Sequence, residues 1–292
     1  MARIAVIGGG GAIGGTLAAW LAQSPEHELT ICVRSPVGTL NVEHKQGMIH
    51  AAPRVLTDPA QAEPVDWVLA ATKTYDSAAA AAWLPGLVGP ETRVAVIQNG
   101  VEQRERFRGH VPDDRVVPAI IDLPAERRGP GNILQRRYGT IHVPEGPDGE
   151  AFVALFAHTP IKAQTTDDFI TAAWRKLAIN CSGAVSALTL RPAEVANDPE
   201  IAEVMRGLVR ECIAVGRAEG ADLPDELADK VVGWTLQADP QSVNSLQADR
   251  MAGRRMEIDA RNRVIVRLGA KHGIAAPLNA MAAAVIEASA PL

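Results

Sequence analysis

The sequence predicts a two-part α/β chain: a doubly wound parallel sheet at the N-terminus, then a second, all-helical domain. Three observations carry this. Through the first half, short β-rich runs alternate with helical segments, the pattern of βαβ units around a parallel sheet. A cluster of glycines joins the first such run to the first helix. Beyond about Asp168 the β signals stop and helical periodicity takes over. The 292 residues suit two domains at roughly 150 residues each, and 47% hydrophobic with 22% charged residues is ordinary globular composition.

In chain order, Arg3–Ile7 reads as a buried strand, Ala12–Gln23 as a helix and Leu29–Val33 as a second strand after the Ser24-Pro25 turn. Arg54–Leu56 is a short strand. Asp66–Thr72 and Thr92–Ile97 are stronger ones, with an alanine-rich helix over Asp76–Leu84 between them, and Val116–Ile121 follows. Gly131–Tyr138 and Gly139–Val143 are expected to pair antiparallel and close the sheet edge. Arg127, Arg128, Arg136 and Arg137 there form a solvated, charged border that discourages pairing between molecules. Helices are expected at Thr171–Cys181, Pro199–Glu219, Glu226–Gln237, Met256–His272 and Leu278–Ala288, with Gly220 and Gly273 as stops. The domain boundary falls near Thr166–Asp168, giving a dinucleotide-binding domain over 1–167 and a helical substrate domain over 168–292.

Ala5–Pro25 carries no charge and superficially suits a signal peptide or membrane span. Six glycines at its centre, each costing a helix roughly 1 kcal/mol relative to alanine, instead mark strand, loop and helix. A net charge of −5 supplies no field for a phosphate backbone, so no nucleic-acid partner is expected. Cys32, Cys181 and Cys212 are widely spaced and form no CxxC, which fits buried thiols in a reducing compartment. The seven histidines show no metal-ligand spacing, and neither HExxH nor GxSxG occurs. The chain is therefore expected to be soluble and cytoplasmic, without a metal or a membrane partner. The long C-terminal helices could pack across a homodimer.

Gly9-Gly10-Gly11-Ala12-Ile13-Gly14 satisfies GxGxxG after a hydrophobic strand and at the start of a helix. In that setting the backbone turns tightly and approaches a pyrophosphate, which meets the free amides and positive end of the helix dipole. An NAD site places a carboxylate about 20 residues further on, for the ribose hydroxyls. Here Arg34 stands twenty residues after Gly14, with no carboxylate between Leu29 and Ser35. A guanidinium matches a 2′-phosphate in charge and geometry, so the expected cofactor is NADP(H).

Trp174–Cys181 is a mostly apolar helix on which Lys176 and Asn180 share one face. A lysine there is either partly desolvated, and so suited to proton donation near neutrality, or snorkels to water. Asn244, Ser245 and Glu257 form a second polar cluster. From the residues alone, Glu257 reads as a dipole partner in the first turn of the helix Met256–His272.

These pieces in this order resemble the ketopantoate reductase family over essentially the whole chain. The resemblance rests on GGGAIG, Lys73 in ATKTYD, Asn99 and Gly100 in IQNGV, WRKLAINC with Lys176 and Asn180, and NSLQADRMAGRRMEID with Ser245 and Glu257. It implies a Rossmann-type domain and a helical domain with the active site between them. The activity would be NADPH-dependent reduction of a 2-oxo acid, 2-dehydropantoate, to pantoate in pantothenate biosynthesis. It further implies Lys176 as proton donor and Asn99 at the nicotinamide and substrate. Asn180 and Ser245 would bind the substrate, Glu257 would contact cofactor or substrate hydroxyls, and Lys73 would lie near the cofactor.

Ala184 and the Arg191-Pro192-Ala193 stretch stand where the family commonly has asparagines, Asn244 where it has a serine and Arg263 where it has a glycine. The proton donor and cofactor loop are intact while part of the substrate's hydrogen-bond shell is altered. A related NADP-dependent dehydrogenase for another hydroxy acid therefore stays open at this point, as does a non-catalytic NADPH-binding sensor.

Overall fold

The computed structural model describes residues 1–289; residues 290–292, the end of the expected helical domain, lie outside the described residues. The chain divides into two compact units, Met1–Gln98 with Glu102–Phe169, and Asn99–Val101 with Ile170–Leu292. Strands β1 (Ala2–Ile7), β2 (His27–Cys32), β3 (Leu40–His44), β4 (Gly47–Ala51), β5 (Arg54–Leu56), β6 (Val65–Ala70), β7 (Val88–Val96) and β8 (Val116–Pro118) run through the first unit, followed by β9 (Ile120–Asp122), β10 (Ala125–Gly129), β11 (Asn132–Gln135), β12 (Thr140–Pro144) and β13 (Lys162–Thr166). Six of them form an all-parallel sheet in the order β5-β2-β1-β6-β7-β8. Its strands alternate strictly. Ile4 and Val6 bury on one face while Ala5 and Ile7 bury on the other, as period-two side chains of a doubly covered sheet must.

Helix α1 (Ala12–Leu21) connects β1 to β2 and is apolar all round, with Leu17, Ala18, Ala19 and Leu21 fully buried. The reason is a second sheet, in the order β10-β11-β3-β4, whose Leu40, Val42 and Ile133 join the cluster of α1 and the main sheet. Trp20 Nε1 also donates to Gln135 Oε1 at 2.8 Å. A third sheet, β13-β12-β9, completes the unit.

Three expectations are corrected here. Gly131–Tyr138 and Gly139–Val143 do not pair with each other. Asn132–Gln135 folds back on Ala125–Gly129 through a turn at Pro130-Gly131, where Gly131 has φ +70°, and Thr140–Pro144 pairs with Ile120–Asp122 in the other sheet. The charged run Arg127-Arg128 lies on β10, an edge strand, which is the border role charge serves. Val116–Ile121 is two strands, because the chain switches sheets after Pro118, a residue without an amide to donate. The helix over Asp76–Leu84 breaks into a 3₁₀ turn at Thr74–Asp76, α2 (Ser77–Ala81) and α3 (Leu84–Leu87), since Pro85 cannot bond to the carbonyl four residues back. Helices α4 (Gln103–Phe107) and α5 (Pro147–Leu155) complete the unit.

The second unit is helical: α6 (Phe169–Ser182), α7 (Ala184–Thr189), α8 (Pro199–Ala218), α9 (Leu227–Gln237), α10 (Ser245–Met251), α11 (Val264–Lys271) and α12 (Pro277–Ala288), with a π-helical turn at Asp259–Arg263. Asp198 caps α8 by accepting from Glu200 N and Ile201 N. Gly220 and Gly273 end α8 and α11 with φ of +94° and +69°. One core holds the bundle, built from Trp174, Leu177, Leu208, Val209, Val231, Leu246, Val264 and Ile286 among others. Among the described residues no helix is long and apolar enough to cross a membrane.

Candidate active site

In the first unit the glycine loop follows β1 as the sequence predicts. Gly8 takes φ +85°, and Gly11 N donates to Gly8 O at 2.9 Å, closing the turn. A Cβ on Gly9 would lie 2.6 Å from Ile31 Cβ, and one on Gly14 would lie 2.5 Å from Gly8 O. Both positions therefore exclude a side chain, which brings α1 hard against the loop. Gly11, the N-cap, supplies no side-chain acceptor, so the first-turn amides around Ala12 and Ile13 are uncapped and have no intrahelical partner. That is the geometry of an anion cradle.

Arg34 lies just beyond β2 with its side chain 84% exposed, paired at 3.6 Å to Asp76. Lys73, half-buried, precedes the 3₁₀ turn Thr74–Asp76. Behind this loop is a cluster that local spacing does not show. Gln98, buried, donates from Nε2 to Thr72 Oγ1 at 2.9 Å and accepts from Ser77 Oγ at 3.2 Å, while Gln103 Nε2 donates to its backbone oxygen at 3.3 Å. These bonds tie the end of β7 to the segment after β6. The cradle and the uncapped helix fit the pyrophosphate of a nicotinamide dinucleotide.

In the second unit α6 buries Ala173, Trp174, Leu177, Ala178 and Cys181 and leaves Arg175 and Ile179 exposed. Lys176 and Asn180, one turn apart, stand half-buried at the border. Asn180 Nδ2 donates to Asn99 Oδ1 at 3.5 Å, and Asn99 Nδ2 donates to Glu257 Oε2 at 3.1 Å. Residues 81 and 158 positions apart are thus brought into one polar line.

Glu257 is 4% exposed and does not open a helix, contrary to the sequence expectation: residues 254–258 belong to no helix or strand, and helical turns begin only at Asp259. Its carboxylate is a buried hydrogen-bond acceptor and not a dipole partner. Ser245 begins α10 and accepts from Arg261 Nη2 at 2.7 Å. Arg261, which reaches Ser245 in this way, is a buried charge that the motif reading overlooks. Its signal is a charge three residues after Ile258 and three before Val264, both core positions of the same run.

The departures from the family pattern sort by place. Asn244 is committed to structure: its Oδ1 caps α10 by accepting from Gln247 N at 3.0 Å, and its Nδ2 donates to Gly183 O at 3.0 Å. Ala184 is fully buried in the helical core, and Arg263 pairs with Glu287. All three thiols are buried and unbridged within the hydrophobic cores, and burial pushes the Cys32 thiol up to about 12.

Comparison with known proteins gives a consistent picture. The family model "Ketopantoate reductase PanE/ApbA" matches residues 4–148, and its C-terminal counterpart matches residues 168–290. A 2-dehydropantoate 2-reductase of Caulobacter vibrioides is 61% identical over 290 residues, 99% of this chain and 100% of that one. One from Mycobacterium tuberculosis is 37% identical, covering 93% and 92%. The crystal structure of a PanE/ApbA family ketopantoate reductase from Ralstonia eutropha, 29% identical, superposes with a TM-score of 0.88 over 98% of each chain.

Proposed function

Since the chain belongs to the ketopantoate reductase family, we infer both its reaction and the part each residue takes in it. The protein is an oxidoreductase acting on CH–OH: it reduces 2-dehydropantoate to pantoate, the reductive step of pantothenate biosynthesis, using a nicotinamide dinucleotide. The observation that carries the reaction is the near-full-length match to a curated 2-dehydropantoate 2-reductase.

NADPH is the proposed form of the cofactor. The amides around Gly10–Ile13 would hold its pyrophosphate, Arg34 its 2′-phosphate, and Lys73 would add positive charge nearby. When bound, the dinucleotide supplies the hydride. Everything else falls to side chains of this chain. Lys176 stabilises the charge that grows on the substrate's carbonyl oxygen and then protonates it. Asn180 and Ser245 bind the substrate's polar groups. Asn99 holds the nicotinamide end and aligns the substrate, and Glu257, accepting from Asn99 at 3.1 Å, fixes that amide's orientation and receives a hydroxyl.

A panel of 2-oxo acids with NADPH tests the reaction, followed by loss of the reduced cofactor's absorbance. Turnover should be fastest with 2-dehydropantoate. Another acid turned over faster would make the chain a different hydroxy-acid dehydrogenase, and tight NADPH binding without turnover would make it a sensor. Arg34→Ala tests the cofactor choice. Losing a charge-assisted contact worth about 1.5–3 kcal/mol should raise the KM for NADPH by about 10–100-fold. The KM for NADH should stay unchanged. Equal losses for the two cofactors would remove Arg34 from the 2′-phosphate site.

A further inference from the structure

Arg261 is an anomaly of the helical unit. Its side chain is 3% exposed, yet among the described residues its guanidinium makes one hydrogen bond, Nη2 to Ser245 Oγ at 2.7 Å. Its Nε is buried without an acceptor. Among the described residues it forms no ion pair. Glu257 and Asp249 are close enough to favour its charge, against burial that disfavours it. Each has another partner: Asn99 donates to Glu257 at 3.1 Å, and Arg254 pairs with Asp249 at 2.9 Å. A second polar side chain in the first turn of α10 shares the predicament. Gln247 is 1% exposed, and both its amide oxygen and its nitrogen lack partners. Buried donors left unsatisfied are strongly destabilising, so this corner is built for an acceptor the chain does not itself contain.

We propose that Arg261 anchors the carboxylate of the 2-oxo acid, an assignment that rests on the substrate reading above. Its unpaired Nε and remaining Nη donors offer the planar fork that a carboxylate accepts. Because Ser245 Oγ already accepts from Nη2, its own hydroxyl proton is free to point to the same anion. The guanidinium also offsets the repulsion that the Glu257 carboxylate would otherwise exert on an incoming acid. Arg261 thus selects acids over neutral ketones, while the reacting carbonyl is left to Lys176.

The test compares 2-dehydropantoate with its neutral carboxamide in the full-length wild type, Arg261→Met and Arg261→Lys. Arg261→Met should lose about 30-fold or more in kcat/KM for the acid, chiefly through KM, as expected for a hydrogen-bonded charge partner. Its activity on the amide and its KM for NADPH should hardly change. Its melting temperature should be equal to or above that of the wild type, because an unpaired buried charge is gone. Arg261→Lys should recover part of the preference for the acid. A lower melting temperature with the acid-to-amide ratio unaltered would make Arg261 a structural counter-ion and overturn the proposal. If the wild type reduces neither compound, the substrate reading fails by itself, and a thermal shift by oxamate then decides. Stabilisation of the wild type but not of Arg261→Met upholds the anion site, and equal shifts sink it.

Discussion

Lys176→Ala is expected to lower kcat by about 10²–10⁴-fold, the range for loss of a positioned acid, or roughly 3–5 kcal/mol of barrier. The side chain is half-buried on α6, one turn before Asn180, which donates to Asn99. Its neighbour Arg175 is exposed on the other side and offers no substitute. The ammonium is needed where negative charge develops during hydride arrival, so kcat and kcat/KM should fall together while the affinity for NADPH holds. Alanine is the better helix former, which keeps α6 intact and makes the lost rate a statement about chemistry. Single-turnover measurements with saturating NADPH and 2-dehydropantoate check it. A rate equal to that of the wild type would take Lys176 out of the mechanism.

The second large effect is at the other end of the sequence. Gly14→Ala should raise the Kd for NADPH by about 10²-fold, the scale at which a displacement of about 1 Å is felt at a preorganised site. The added methyl would sit 2.5 Å from Gly8 O, 2.9 Å from Gly8 C and 3.2 Å from Gly9 N. All three are backbone atoms of the loop that would face the pyrophosphate, so relief must come from the loop itself. Fluorescence titration of the reduced cofactor measures this. Gly38→Ala is the control, since a Cβ there meets nothing within 4 Å. An unaltered Kd for Gly14→Ala would mean the loop does not hold the phosphates.

Much of the fold is legible because its signals are local. β1, β2, β6 and the helices α6, α8, α9 and α12 lie within a few residues of where hydrophobic runs, glycines and prolines put them. What local spacing hides is pairing. The strands β3 (LNVEH), β4 (GMIHA) and β10 (AERRG) are short and bury at most two residues each among charges and histidines, too few to set a readable period. Helix α10 is short, and its cap, Asn244, reads from sequence as one polar residue among several.

The site follows the same division. Lys176 and Asn180 are neighbours on one helix, so their shared face is visible in a single turn. That Asn99 meets Glu257 across 158 residues is a fact of tertiary folding. Arg261 escapes motif reading because no pattern assigns it a part. Only its burial and its unmet donor reveal it.

The placement of α1 between two sheets has a mechanical consequence. A helix gripped on both sides by Leu40, Ile133 and the strands of the main sheet has little freedom to tilt or slide when a nucleotide docks. Rigidity at the docking end is therefore inherent in the resting protein, and association need not spend binding energy on ordering that end. It also means that damage to the small outer sheet, which touches none of the fingerprint residues in sequence, would be transmitted along α1 and surface as a looser grip on the coenzyme.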